Sequence, residues 1–333
     1  MDAEVLRARR ERQREEVRRR RVRTAVLAAT LLLLVAAGAL ALLNHGSSSP
    51  TPRVARSGTV HGRSATGTDS TTAASPGTQA GTAAHAAATP DGPPGKLPVP
   101  ILMYHVIAAP PAGAPFPGLY VPPQEFEEQM RALEQAGWHA VTMDQVESYW
   151  RSGTPLGAGK PIVLSFDNGY QSQYTRALPI LRGLGWVGDE NLQLTGLPPS
   201  QGGLGDDEIR GLIAAGWELD TQGISHADLI TLDAAELRHQ VATAREQLRR
   251  RFGVPVNWFC YPSGHYDATV VAAVRQAGFV GSTTVVPGWA HPQDDSYRLH
   301  RLRVLGGTTG SQLLALLAAV REDPASPPSY GSA

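Results

Sequence analysis

From Leu97 onward, short apolar runs alternate with longer stretches in which apolar residues recur every third or fourth position. The short runs have the character of buried strands, and the longer stretches that of amphipathic helices. This predicts strands over 99–107, 139–143, 161–166, 191–196 and 217–222, with helices over 123–137, 175–185, 206–216 and 234–253. In the first helix Phe126, Met130 and Leu133 share a face, and Gly137 marks the stop. The alternation continues through NWFCYPSG, ATVVAAVRQAG, FVGSTTV, RLHRLRV and SQLLALLAAV. Strands and helices joined by short connections imply an α/β fold with a mostly parallel sheet under covering helices. Six or seven such units in about 225 residues suit a distorted (β/α) barrel better than an open sheet.

The pattern before Leu97 is different. Residues 1–23 are crowded with arginine, from Arg7 to Arg23, and residues 24–43 carry no charge after Arg23. About 19 apolar residues in helix span roughly 28 Å, close to one hydrocarbon core. The span is longer than the usual signal-peptide core of about 7–15 residues and has no polar face. It is therefore expected to be an uncleaved transmembrane signal-anchor in the cell membrane, with the basic segment in the cytoplasm and the rest outside. Residues 44–96 are Ser, Thr, Gly, Ala and Pro with almost no large apolar side chain, as expected of a disordered linker. Residues 97–322 form the folded domain, and 323–333 read as a disordered tail. Formal net charge is zero, so no global field favours nucleic acid. With one cysteine, Cys260, an intrachain disulfide is excluded.

Candidate chemistry collects where predicted strands end, which is where parallel barrels place function. In SFDNGY a carboxylate, Asp167, stands at the mouth of a strand beside the neutral amide Asn168. An Asp before Asn-Gly can also simply hold a turn. Gln222, His226 and the Tyr261-Pro262-Ser263 turn occupy comparable positions, and His105 ends the first strand. Asp220 lies two residues before Gln222, so on a strand both face the same way. His105 and Asp220 each have a structural reading too, as a satisfied core histidine and a loop cap.

The stretches PVPILMYHVI, LSFDNGY, WELDTQGISHADL, FCYPSGHYD and RLRVLGGTTGSQLLALL, in that order, resemble the polysaccharide deacetylase domain of carbohydrate esterase family 4, the NodB-homology fold. The resemblance implies removal of acetyl groups from an acetylated polysaccharide with the help of a divalent, zinc-like metal. In the family a first Asp acts as base, a second Asp and two His hold the metal, and a further residue protonates the leaving group. By that pattern Asp167, His226 and His300 are the candidate catalytic residues, and Asn168, Gln222 and His226 the candidate metal positions; Asp220, where the family usually has a small residue, is added to the metal positions as a gained carboxylate. Tyr104, His105, Tyr261, Pro262 and Ser263 are the candidate substrate-binding residues, with Trp186, Trp289 and Tyr266 as possible further members of an aromatic wall.

The sequence departs from that pattern where charge matters most. Asn168 stands at the second Asp, Gln222 at the first His, and Cys260 where many members carry an Arg that orients the base. Amide oxygens lack the charge and softness that favour zinc, so any metal is expected to bind weakly. Three readings follow: an N-deacetylase of cell-wall or exopolysaccharide glycan, a pseudoenzyme that binds acetylated glycan, and an O-acetyl esterase.

Overall fold

The computed structural model describes residues 92–322 except 196 and 198–201. The predicted basic segment, membrane anchor, most of the linker and the tail lie outside these residues. Among the described residues no helix is long and apolar enough to cross a membrane.

The elements run β1 (Ile101–Tyr104), α1 (Pro123–Gln135), β2 (Trp138–Ala140), α2 (Met143–Ser152), β3 (Lys160–Asn168), α3 (Leu178–Gly183), β4 (Asp189–Leu192), α4 (Asp206–Ala214) and β5 (Glu218–Thr221). They continue through α5 (Ala234–Arg238), α6 (Ala244–Phe252), β6 (Trp258–Cys260), α7 (Ala268–Gln276), β7 (Gly281–Thr283), β8 (Leu302–Arg303) and α8 (Gly310–Glu322). A π-helical turn, Gln173–Ala177, leads into α3, and another, His239–Thr243, joins α5 to α6.

Local sequence explains most boundaries. Prolines at 122 and 123 start α1, because a first-turn N–H has no helical partner to lose. Asp233 and Asp267 cap α5 and α7, each accepting two backbone N–H groups. Helix α2 was not among the predicted elements. Its start is a capping box, in which Thr142 accepts from the Gln145 backbone and the Gln145 side chain accepts from the Thr142 backbone. The strand predicted over 139–143 therefore stops at Ala140.

The strands lie in the order β7-β6-β5-β4-β3-β1-β8, with β2 on β3, and every ladder is parallel. A parallel bridge from Thr283 to Leu299 brings the chain just before β8 against β7. The sheet thus curls until its edges approach, yet among the described residues β7 and β8 share no ladder. The expected barrel is realised as a curled half-barrel.

The two faces of the curl differ sharply. On the outside, Tyr104, Phe166 and Trp217 stack in sequence, with ring centroids 5.7 and 4.8 Å apart, beneath Phe126 of α1. Burying each such ring contributes about 1.5–3 kcal/mol. On the inside, Ser165, Asp167, Asp189, Asn191, Asp220, Gln222 and Arg301 are all buried and polar. Strand alternation separates these two sets, and the polar interior is where chemistry is possible.

Candidate functional site

A cavity of about 760 Å³ opens at the carboxyl ends of the strands. His105 follows β1, Asp167 and Asn168 end β3, Gln193 follows β4, Gln222 follows β5, and His226 lies in the next loop. Register assembles this group: Asp167 pairs with Asn191 across β3 and β4, and Asn191 with Asp220 across β4 and β5.

Asp167 is the most heavily held side chain in the cavity. Arg301 grips it in a two-pronged bond, Nη1 to Oδ1 at 2.7 Å and Nη2 to Oδ2 at 2.9 Å. Asn191 Nδ2 donates to Oδ1 at 3.0 Å, Cys260 Sγ lies 3.6 Å from Oδ2, and His105 Nε2 lies 3.9 Å from Oδ2. Burial pushes this carboxyl up, but the Arg301 charge, His105 and the donated hydrogen bonds outweigh it and hold it at about 2. Asp167 is therefore a fixed anion at neutral pH.

Arg301 is fully buried and uses all five of its N–H donors. Nε reaches Thr284 O, Nη1 reaches Ser165 Oγ as well as Asp167, and Nη2 reaches Cys260 Sγ as well as Asp167. The family resemblance led to an orienting arginine at position 260, where a cysteine stands; the structure brings a guanidinium to the same carboxylate from the chain entering β8. Burial pushes the Cys260 thiol up to about 12, so it stays protonated and is no nucleophile.

Two imidazoles line the cavity in neutral form. Burial lowers His105 to about 4 against the pull of Asp167, and burial lowers His226 in the same way. The Nδ1 of His105 is buried without a hydrogen-bond partner. His265, also at the cavity, differs: its bond to Asp228, 3.2 Å long, raises it despite partial burial.

Asn168, His226 and Ser263 have φ of 81°, 53° and 55°, the positive-φ residues other than glycine among the described residues. All three line the cavity. Such backbone carries strain that the surrounding structure must hold, and it concentrates at functional sites. Asn168 Nδ2 donates to Gln193 Oε1 at 3.0 Å, and Gln193 in turn donates to Thr195 O. The Oε1 of Gln222 is buried and unpartnered.

Several expected site residues lie elsewhere, for reasons of strand geometry. His300 lies between Leu299 and Arg301, packs against Gly288, and does not line the cavity. Arg301 and Arg303 take the inward face, so alternation turns His300 outward. Tyr104 is turned outward likewise, donating to Gln129 Oε1 in the core, while its neighbours Met103 and His105 line the cavity. Asp220 does share a face with Gln222, but two residues down a strand place it about 6.6 Å deeper. There its Oδ1 accepts from the Asn257 and Trp258 backbone at 3.0 and 2.8 Å, beneath the cavity. Pro262 is buried in its turn, and Tyr261 and Ser263 reach the cavity wall. Trp186 and Trp289 are buried in the outer core, and Tyr266 stacks on Tyr261 at 4.7 Å, so no aromatic wall of that composition exists.

Arg301, Asn191 and Arg303 were not singled out from the sequence. The signal for the two arginines was the alternation of RLHRLRV, which places Arg301 and Arg303 together opposite His300.

The metal that the resemblance implies would need charged or imidazole donors gathered at the cavity. Among the described residues no group of three or more His, Cys, Asp or Glu is arranged to hold one. Asn168, Gln222 and His226 offer two neutral amides and one imidazole, and the carboxylate beside them, Asp167, is committed to Arg301. This set does not fit a tightly held zinc ion.

Residues 157–282 match the polysaccharide deacetylase family model. The Bacillus subtilis protein YxkH, named as a polysaccharide deacetylase, is 26% identical over 228 residues, covering 68% of this chain and 78% of its own. A poly-β-1,6-N-acetyl-D-glucosamine N-deacetylase of Escherichia coli K12 is 44% identical over 59 residues, 18% of this chain and 9% of that protein. Among solved structures, the Streptococcus pyogenes deacetylase PplD in complex with acetate superimposes with a TM-score of 0.61 at 24% identity, covering 68% of this chain and 99% of that one. Taken with the curled parallel sheet and the SFDNGY turn at its mouth, these matches show a polysaccharide deacetylase domain over residues 157–282, similar to the NodB-type hydrolases of carbohydrate esterase family 4 that act on carbon–nitrogen bonds.

Proposed function

We propose that this chain is a membrane-anchored, extracytoplasmic deacetylase of N-acetyl groups on cell-wall or exopolysaccharide glycan, working without a tightly held metal. The observation that carries the reading is the convergence of Asp167, Asn168, Gln222 and His226 on one cavity at the strand ends. Its residues suit an uncharged acetamido group, since amide side chains can donate to a carbonyl and accept from an N–H. Water attacks the acetyl carbonyl while neutral His226 takes its proton, and the fixed charge of Asp167 favours the imidazolium. The tetrahedral intermediate then collapses, the C–N bond breaks, and the imidazolium returns the proton to the leaving nitrogen. Acetate and a free amine are the products.

Acetate release from N-acetylated glycan by the full-length protein, with a chelator present, tests this. Release that continues in chelator and is lost in His226→Gln supports it. Release that stops in chelator and returns with zinc refutes the metal-independent route. The anchor rests on the Arg-rich flank and the charge-free span of residues 24–43. Protease applied to intact cells should remove the folded domain and leave a membrane-bound stub.

One observation favours a second reading, glycan binding without turnover. Both carboxylate oxygens of Asp167 are already committed to Arg301, so the side chain expected to act as base is not available as one. Glycan binding with no acetate release under any metal condition would identify that case.

A further inference from the structure

Four large apolar side chains are conspicuously exposed among the described residues, and two of them, Phe116 and Leu305, line the cavity. Phe116 is 68% exposed, whereas the chain's five other phenylalanines are buried. Leu305 approaches the turn that carries Phe116, and neighbouring apolar side chains exposed beside a polar cavity mark a ligand-binding groove.

The ring stands on a rigid ledge. Leu119 N donates to Phe116 O at 3.0 Å, and Tyr120 N to Pro117 O at 3.2 Å, closing a short turn. Val121 N then bonds Val106 O at 2.9 Å, tying the turn to the chain leaving β1. Gly306 N donates to Gly118 O at 3.0 Å, which fixes the segment carrying Leu305 beside it. A side chain at position 306 would collide with Tyr120 O, so glycine permits that approach. The result is an apolar ledge, without a charged side chain of its own, on the rim of a cavity whose floor holds Asp167, Asn168 and Gln222.

A cavity of about 760 Å³ is large for one acetyl group and falls within the roughly 300–1,000 Å³ typical of sites for whole small molecules. Pyranose rings have an apolar C–H face and a polar rim, and a flat aromatic ring matches that face. We infer that Phe116, with Leu305, is a second sugar subsite, which stacks the ring next to the one whose acetamido group enters the cavity. The protein is then selective for polymer over monosaccharide. This rests on the glycan-binding reading above and adds the position and chemistry of the neighbouring ring.

The test measures Kd by titration calorimetry on the full-length protein, for N-acetylglucosamine and for its β-1,4- and β-1,6-linked pentamers. Phe116→Ala should weaken the preferred pentamer about tenfold and leave the monosaccharide unchanged. Phe116→Trp should restore pentamer binding, and Leu305→Ser should weaken it to a lesser extent. Because Phe116 is exposed, an unchanged melting temperature is expected for all three variants. If the natural protein binds pentamer and Phe116→Ala binds it equally well, the subsite is refuted while the glycan reading stands. If the natural protein binds none of the three sugars, the glycan reading fails and the subsite fails with it.

Discussion

Replacing Arg301 by Met keeps an unbranched stem but removes the guanidinium end, with its charge and all five donors. It strands Asp167, a carboxylate with 1% exposure, and leaves Thr284 O and Ser165 Oγ without that partner. Breaking a buried ion pair by deleting one member costs about 3–5 kcal/mol. In a domain of this size that lowers Tm by roughly 6–20 °C. The pH dependence is a separate check. Asp167 falls from its ordinary 3.8 to about 2 in the folded state, a difference equivalent to about 2 kcal/mol. Because the folded value is depressed, that stability is present above pH 4 and disappears as pH falls towards 2. Arg301→Met should erase this acid limb, since the native carboxylate would no longer be favoured. The assay is urea unfolding followed by circular dichroism at pH 7, 4 and 3, with Asp167→Asn/Arg301→Met completing a double-mutant cycle. A loss below about 1 kcal/mol at pH 7, or two single losses that simply add, would refute the claim that the pair is a coupled clamp.

Two further predictions concern other carboxylates. Beneath the cavity Asp189, Glu218 and Asp220 lie together near Asp144, and burial followed by mutual repulsion raises Asp189 and Glu218 well above the ordinary range. Burial likewise raises Asp220, although its bonds to Glu218 and the Trp258 backbone oppose this, and Arg245 is the nearby cation. Raised folded values mean stability present below about pH 4 and lost as pH rises; Asp220→Asn should therefore stabilise the domain at pH 8 in thermal melts and have little effect at pH 4. Asn168→Asp with Gln222→His should create a zinc site around His226 that neither change creates alone, read by zinc titration. The aspartate at 168 keeps a left-handed backbone that Asp tolerates nearly as well as Asn.

The order of strands and helices was legible because it depends on local periodicity. The 99–107 run contains β1, the 161–166 run contains most of β3, and the helix predicted over 123–137 forms within two residues of its expected end. Caps are local as well, and the Thr142–Gln145 box, with Met143, Val146 and Trp150 at helical spacing, shows that α2 was written in the sequence. The placement of Asp167, Asn168, Gln222 and His226 around one cavity also followed from strand ends. Tertiary structure decided what those side chains touch. A one-residue difference in facing put Arg301 inside and His300 outside, and a strand step of about 3.3 Å per residue put Asp220 below the cavity. Arg301 and Asp167 are 134 positions apart, so no window of sequence contains their contact. Periodicity is set by backbone geometry within a few residues, whereas the clamp exists only because β1 pairs with both β3 and β8 in a curled sheet.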